Sequence, residues 1–219
     1  MNDAVIQLLV LAAIALFLVI RLKNVLGTRT GFEKPTAIDP ARSNDVRRDF
    51  EVIEGGPDRD ITDHVDDGTD SAKALAAMKL VEPGFSVTEF VSGARQAYEM
   101  ILMAFENGDL SDVQPFLSED VYEAFLAGIS DREDKGLKVE ANFIGVRETS
   151  LRSAEIDRDT NEGQITLRFV AELTSVVRDE EGTIVEGNPN EIKKQRDVWT
   201  FARKLGTGDP NWKLVATGD

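Results

Sequence analysis

A nearly uninterrupted apolar run close to the N-terminus constrains this chain most. Residues 4–20 are all apolar except Gln7. A helix rises about 1.5 Å per residue, so this run covers roughly 26 Å, close to the hydrocarbon thickness of a bilayer. A buried core helix is the alternative, but no polar stripe supports it. The sequence therefore predicts a transmembrane helix, within an anchor spanning residues 1–26.

The predicted anchor residues are Ala4, Val5, Ile6, Leu8, Leu9, Val10, Leu11, Ala12, Ala13, Ile14, Ala15, Leu16, Phe17, Leu18, Val19 and Ile20. Charge flanks this run unevenly: Asp3 precedes it, whereas Arg21, Lys23 and Arg29 follow it. A secretory signal peptide has the reverse order. Basic residues stay on the cytoplasmic side of a membrane. We therefore expect a single-pass membrane protein with its N-terminus outside and its C-terminal part in the cytoplasm.

Acidity dominates the rest of the chain. The formal net charge is −15, of which residues 83–219 contribute −11. Such a charge repels phosphate backbones and anionic headgroups, which argues against nucleic acid as the default partner, although a local basic patch remains possible. There is no Cys, and His64 is the single histidine. Disulfides, thiolate metal sites and cysteine nucleophiles are therefore excluded.

Residues 27–82 are predicted to be an acidic, flexible linker. Large apolar side chains are scarce there through residue 70, and Gly55, Gly56 and Pro57 mark a break. Six aspartates lie between residues 58 and 70, but their spacing does not match an EF-hand calcium loop, so a solvated spacer is favoured. Residues 71–80 have high helix propensity. They predict a short helix that docks on a partner or, as the alternative, rests on its own domain or frays.

A folded domain is predicted from residue 83 to 219. Ser86 and Glu89 form a capping-box pattern, and Phe85 and Phe90 occupy the positions of a hydrophobic staple. A helix should therefore begin at Val87. The pair at 107–108, Asn-Gly, predicts its end. A short helix near 112–117 and a third helix beginning after Ser118 and ending by Gly136 should follow.

After residue 136 the apolar period changes from about 3.6 to 2, which indicates antiparallel strands. We predict strands at 138–146, 150–157, 165–174, 196–205 and 212–217. Helices followed by strands indicate the α+β class, with the N-terminal helices packed on one face of a curved antiparallel sheet. The predicted structural core contains Phe90, Ile101, Phe105, Phe125, Phe169, Trp199, Phe201 and Trp212. Trp199, Phe201 and Trp212 could instead line a ligand pocket.

The sequence of the predicted domain gives little indication of a catalytic site. With no His or Cys in the predicted domain, neither a Ser-His-Asp triad nor a zinc site of the usual ligand set can form there. There is no phosphate-binding glycine motif. The carboxylates fall on predicted solvent faces, where they serve solubility. We therefore expect no catalytic residue, no metal, no cofactor and no enzymatic activity.

Four stretches of the sequence resemble motifs of a known protein family. They are Phe-Ser-Val-x-Glu-Phe at 85–90, Gly-Asp-Leu-x-x-Val-x-Pro-Phe-Leu at 108–117, Asp-x-Trp-Thr-Phe-x-Arg at 197–203 and Pro-x-Trp-x-Leu at 210–214. In this order and spacing they resemble the C-terminal domain of the Tim-44-like family of mitochondrial import inner membrane translocase subunits. The anchor and residues 21–32 look like the bacterial members of that family, the TimA-type adaptor proteins.

This resemblance implies a cone-shaped α+β domain of the NTF2-like kind, with no catalytic activity. The mitochondrial relative tethers an Hsp70 motor to the translocon on the matrix face, and a related mitoribosomal protein attaches ribosomes to the membrane. The chain departs from the mitochondrial pattern before the domain, where the relative has a long N-terminal segment that binds the motor. The Hsp70 partnership is the part of the resemblance that this departure weakens.

The expected function is that of a membrane-tethered adaptor for protein transport. Its domain would dock a protein partner, such as an Hsp70-type chaperone, a translocase component or a client, at the cytoplasmic face of the inner membrane. Lipid or small-ligand binding in the cavity of the fold is the alternative, as is ribosome anchoring, which the domain charge of −11 disfavours. A filled core with an apolar outer patch would favour the adaptor, and a large polar-lined pocket would favour ligand binding.

Overall fold

The computed structural model describes residues 56–218. The predicted anchor, residues 1–26, and the predicted linker as far as residue 55 lie outside this part. Among residues 56–218, no helix has the length and apolar character needed to cross a membrane.

Within residues 56–218, four α-helices precede the sheet. They are α1 (Arg59–Thr62), α2 (Asp70–Val81), α3 (Val87–Asn107) and α4 (Glu119–Asp134), and a 3-10 turn at Gln114–Phe116 lies between the last two. The strands are β1 (Lys138–Asp157), β2 (Glu162–Arg178), β3 (Ile184–Gly187), β4 (Lys193–Lys204) and β5 (Lys213–Gly218). The α+β class is confirmed.

The predicted boundaries of α3 are confirmed. Ser86 is the N-cap, and its side chain accepts a hydrogen bond from the backbone NH of Glu89. The rings of Phe85 and Phe90 lie 6.4 Å apart between centroids, as a hydrophobic staple requires. Gly108 ends the helix with a φ of 76°, a left-handed conformation that glycine adopts without strain.

All strand pairs in the sheet are antiparallel. The order is β1-β2-β4-β5, and β3 pairs with the end of β2 beyond the start of β4. The predicted strands at 138–146 and 150–157 are one continuous strand, β1, with three register shifts against β2. Bulges of this kind bend a strand without ending it, which explains why the alternating pattern breaks in the sequence. The short strand β3 was not predicted.

The core lies between the helices and one face of the sheet. Alternate residues of β2, from Ile165 through Leu173, are buried against it. Tyr98 of α3 stacks on Phe169 at 4.4 Å and packs against Trp199 at 4.7 Å, measured between ring centroids. These side chains fill the space between α3 and the sheet.

The linker was predicted to extend to residue 82. The structure instead places the last part of that range, which contains α1 and α2, in the folded domain. Ile61 of α1 and Ala72, Leu75 and Met78 of α2 are buried in the domain core. Met78 reaches the sheet so closely that a Cβ placed on Gly163 would lie 3.1 Å from its methyl carbon. The acidic composition concealed this packing because the aspartates lie around the short apolar faces of α1 and α2. The folded domain therefore begins before α1.

Candidate docking groove

An open groove lies between the first half of α3 and the loop that joins β4 to β5. Its volume is about 400 Å³, which lies within the range of small-ligand sites. We call it the aromatic groove. Its apolar lining consists of Phe85, Phe90, Gly93, Ala94, Ala97, Phe116, Phe201, Pro210 and Trp212.

Aromatic rings form one wall of the aromatic groove. The Trp212 ring lies 4.6 Å from that of Phe90 and 5.8 Å from that of Phe85. Phe90 also meets Phe201 of β4 edge-to-face at 6.0 Å. Phe85, Phe90 and Phe201 are buried, whereas Trp212 is only half-buried. The wall is therefore buried at its base and accessible at Trp212.

Small residues of α3 open the space. Gly93, Ala94 and Ala97 follow Phe90 at helical spacing, so they lie on the same side of α3. A Cβ added at Gly93 would meet no heavy atom within 4 Å. A side chain at this position would therefore start in open space and extend into the groove.

The polar rim is organised by Arg203. Its guanidinium donates to Oε1 of Glu82 at 2.7 Å and to the carbonyl of Asp209 at 2.9 Å, and it lies over the Trp212 ring at 5.2 Å. The hydrogen bond from the Gly206 NH, together with Arg203, holds the pKa of Glu82 below its ordinary value. With Arg203 neutralised by this pair, Glu89 is left as an exposed carboxylate on the rim.

The N-terminus of α3, beside the groove, is capped by a residue of α1. The Asp60 carboxylate accepts hydrogen bonds from the backbone NH groups of Val87 at 2.8 Å and Thr88 at 2.9 Å, and from the Ser86 hydroxyl at 3.0 Å. Lys79 of α2 forms an ion pair with it at 2.7 Å. Three helices are therefore joined at one carboxylate, a contact that no sequence pattern indicated.

The predicted core residues fall into two groups. Phe90, Ile101, Phe169, Trp199 and Phe201 are buried. Phe105, Phe125 and Trp212 are half-buried and pack against the core from its edge. Of the eight, Phe90, Phe201 and Trp212 line the groove. These three are predicted core residues, whereas Gly93, Ala94 and Ala97 were not predicted to have a role. Their small size at helical spacing beside an aromatic staple is the signal that the sequence offers for them.

No group of three or more His, Asp and Glu side chains in residues 56–218 is arranged to hold a metal ion. His64 makes a 3.1 Å hydrogen-bond contact with the Thr88 hydroxyl, so within this part of the chain it has a structural partner.

Comparison with known proteins gives a consistent match. The Tim44-like domain family matches residues 71–219. The mitochondrial import inner membrane translocase subunit TIM44-1 of Arabidopsis thaliana is 24% identical over 152 residues, which cover 67% of this chain and 32% of that protein. Subunit TIM44 of Homo sapiens is 23% identical over 151 residues, covering 67% of this chain and 33% of that protein.

The match thus spans about a third of the length of these relatives. Among solved structures, the intermembrane space region of chloroplast protein ARC6 aligns over 66% of this chain and 94% of that chain, at 10% identity and a TM-score of 0.32. That likeness is too distant to support any conclusion. The family match covers most of the described residues and includes the packed helix α2. The chain belongs to the Tim44-like domain family.

Proposed function

We propose that this protein is a membrane-tethered, non-enzymatic adaptor whose aromatic groove docks a segment of a protein partner. The observation that carries this proposal is the combination of a filled core and an outer apolar groove. Tyr98, Phe169 and Trp199 occupy the space between α3 and the sheet, while the groove opens beside Trp212. A groove of this kind suits the anchor side chain of a partner, since tryptophan is enriched among the few residues that dominate binding energy at protein interfaces.

The rim defines the chemistry of the partner segment. An apolar side chain would enter between Trp212 and Gly93, and a neighbouring basic residue would meet the exposed Glu89. The formal net charge of −15 would also attract a cationic partner at long range. A chaperone, a translocase component or a client protein could present such a segment, and the names of the relatives, which are translocase subunits, support this class.

The tether is the second part of the proposal. Residues 4–20 would span the inner membrane, with Arg21, Lys23 and Arg29 holding the domain on the cytoplasmic side. The chain between this anchor and α1 would then be a flexible connection of about 35 residues, with a root-mean-square span of roughly 30–35 Å. Tethering would raise the effective concentration of the groove near the membrane, so that weak docking suffices.

Lipid binding is the second candidate, because the volume of about 400 Å³ and the aromatic lining would also accept an acyl chain. Photocrosslinking separates the two. A photoreactive phenylalanine analogue placed at Asn211, on the groove rim, is activated in intact membranes. Docking predicts a discrete protein adduct, whereas a mass increase equal to one phospholipid, without any protein adduct, would reject the adaptor function in favour of lipid binding.

A further inference from the structure

The two faces of the sheet differ in character. In β4, Trp199 and Phe201 point to the helices and are buried. The residues that alternate with them therefore point to the opposite side, which we call the outer face. The pairing register places Ala202 of β4 opposite Lys213 of β5, so Lys213 also lies on the outer face.

The outer face of β4 and β5 is basic, although the whole chain is acidic. These strands contribute Lys194, Arg196, Lys204 and Lys213 to it, and we call these four residues the basic strip. All four are exposed, and none forms an ion pair within residues 56–218. The one carboxylate in these two strands, Asp197, lies on the other face and binds the Tyr98 hydroxyl.

Neighbouring carboxylates of the outer face are engaged elsewhere. Glu172 lies opposite Lys194 in the register, but it accepts a 2.7 Å hydrogen bond from Arg147 of β1. Glu162 lies opposite Lys204 and accepts a hydrogen bond from Gln164. Arg147 thus neutralises Glu172, whereas Glu162 keeps its charge beside Lys204. The four cations of the basic strip still outnumber the two neighbouring carboxylates that form no ion pair within residues 56–218, Glu162 and Asp209, so the strip keeps a net positive charge for an external anion.

The basic strip is long and narrow. Lys194 and Lys204 are ten residues apart on one strand, which corresponds to roughly 33 Å. At the far end, Lys204 and Lys213 border a notch of about 270 Å³, whose lining also includes Ala202, Val215 and the carboxylate residues Glu162 and Asp209. Between the two ends the outer face of β4 presents uncharged side chains, namely Val198, Thr200 and Ala202.

We propose that the basic strip is a second docking surface, which binds an extended acidic segment of a protein partner. About ten residues of extended polypeptide match its length. Asp or Glu side chains towards the two ends of such a segment would meet the cation pairs Lys194/Arg196 and Lys204/Lys213. None of the four cations lines the aromatic groove, although the notch at the far end of the strip shares Arg203 and Asn211 with the groove lining. The strip is therefore a second surface that adjoins the groove at this end.

Geometry and chemistry favour a polypeptide over other anions. A bilayer presents charge over a plane, whereas the strip is one or two strands wide and is flanked by the carboxylates Glu162 and Glu172. Single-stranded nucleic acid needs aromatic side chains for base stacking. The aromatic residues of β4, Trp199 and Phe201, are buried on the other face.

The test measures binding of a fluorescent twelve-residue peptide of alternating Glu and Thr to the full-length protein in nanodiscs of neutral lipid. The strip variant carries K194Q, R196Q, K204Q and K213Q. Its control, with the same change in net charge, carries R59Q, K73Q, K135Q and R158Q, all exposed positions outside the strip. Fluorescence anisotropy at low ionic strength gives the affinity, and circular dichroism verifies folding.

We expect the strip variant to bind the peptide about tenfold or more weakly than the wild type, as the loss of four exposed ion pairs implies. The control should stay within about threefold, and added salt should weaken wild-type binding. Equal weakening by both variants would overturn the proposal, as would tighter, strip-dependent binding of a twelve-nucleotide uridine RNA. Loss of peptide binding when anionic lipid is added to the nanodisc would assign the strip to the bilayer instead.

Discussion

Tyr98 joins the apolar core to the one carboxylate of β4. Its ring is fully buried, and its hydroxyl donates a hydrogen bond to the Asp197 carboxylate. Burial, together with the negative charge of Asp197, raises the pKa of the Tyr98 phenol far above its ordinary value. An unfolded tyrosine ionises near pH 10. Above that pH the unfolded chain loses a proton that the folded chain keeps, so the folded state becomes less stable.

Replacing Tyr98 with Phe should remove this part of the alkaline destabilisation. At pH 7 the loss of the hydrogen bond should cost about 1–3 kcal/mol of unfolding free energy. From pH 10 to 11 the wild type should lose up to about 1.4 kcal/mol more than the variant does. Denaturant titrations at both pH values measure this. Tyr122→Phe, at the other tyrosine of the chain, is the control and should behave as the wild type; identical alkaline slopes in all three proteins would contradict the account.

Asp60 should stabilise the domain through its charge. Burial raises the pKa of this carboxyl, but the hydrogen bonds from Lys79, Thr88 and Val87 outweigh burial and hold the pKa well below its usual range. A lowered pKa contributes stability above the unfolded value, near 4, and that stability is lost as the pH falls through the folded value.

Asp60→Asn should therefore lower the unfolding free energy by about 1–2 kcal/mol at pH 7. The difference from the wild type should shrink as the pH is lowered below about 4. Thermal unfolding followed across pH 3–7 tests both statements. Asp63→Asn alters an exposed carboxylate for which the structure gives no side-chain partner, and it should change stability little. A pH-independent loss in Asp60→Asn would mean that packing, not charge, matters there.

At the scale of the elements, α2 belongs to the folded domain. Leu75 is 0% exposed and packs in the core, whereas Leu80 on the same helix is 84% exposed. Leu75→Ala should cost about 2–5 kcal/mol of unfolding free energy. Leu80→Ala is the same chemical change at a solvent position and should stay within about 0.5 kcal/mol of the wild type. Equal, small effects of both would show that α2 behaves as part of the linker.

The elements that local signals govern could be predicted from the sequence. The start and end of α3 follow from a cap, a staple and an Asn-Gly pair, all of which act within one helical turn. The continuity of β1 could not be predicted, because its bulges interrupt the alternation on which strand prediction rests. The packing of α1 and α2 depends on Asp60 and Met78 meeting residues far along the chain, and no local pattern encodes such contacts.

The aromatic groove also combines residues that the sequence identifies with an arrangement that it does not. Phe90, Phe201 and Trp212 were identified as important because they are large, apolar and placed at helix or strand positions. Their arrangement around an open space depends on Gly93 and the two alanines that follow, since larger residues there would close it. In a single sequence, a small residue is weak evidence that a groove lies above it. The groove could therefore be recognised only from the structure.

At the scale of the whole molecule, the proposed topology predicts which parts of the chain a membrane-impermeant reagent can label. The chain has no Cys, so single cysteines can be introduced at will. In intact spheroplasts, a membrane-impermeant maleimide should label Asn2→Cys but not Ala124→Cys, which lies on an exposed face of α4. Ala124→Cys should react after lysis. Labelling of Ala124→Cys in sealed spheroplasts would reverse the orientation.

The most direct test of the adaptor function is quantitative co-purification of partners from crosslinked membranes with two leucine variants. The Gly93→Leu side chain should start in open space and fill the aromatic groove and, because leucine favours helices, the change should leave the domain at least as stable. Ala124→Leu adds a similar side chain on the exposed side of α4. We expect the wild type and Ala124→Leu to recover the same proteins in similar amounts. With Gly93→Leu the amounts of these proteins should fall about tenfold or more, as loss of a central interface anchor implies. Undiminished recovery of the same proteins with a folded, membrane-bound Gly93→Leu variant would contradict it.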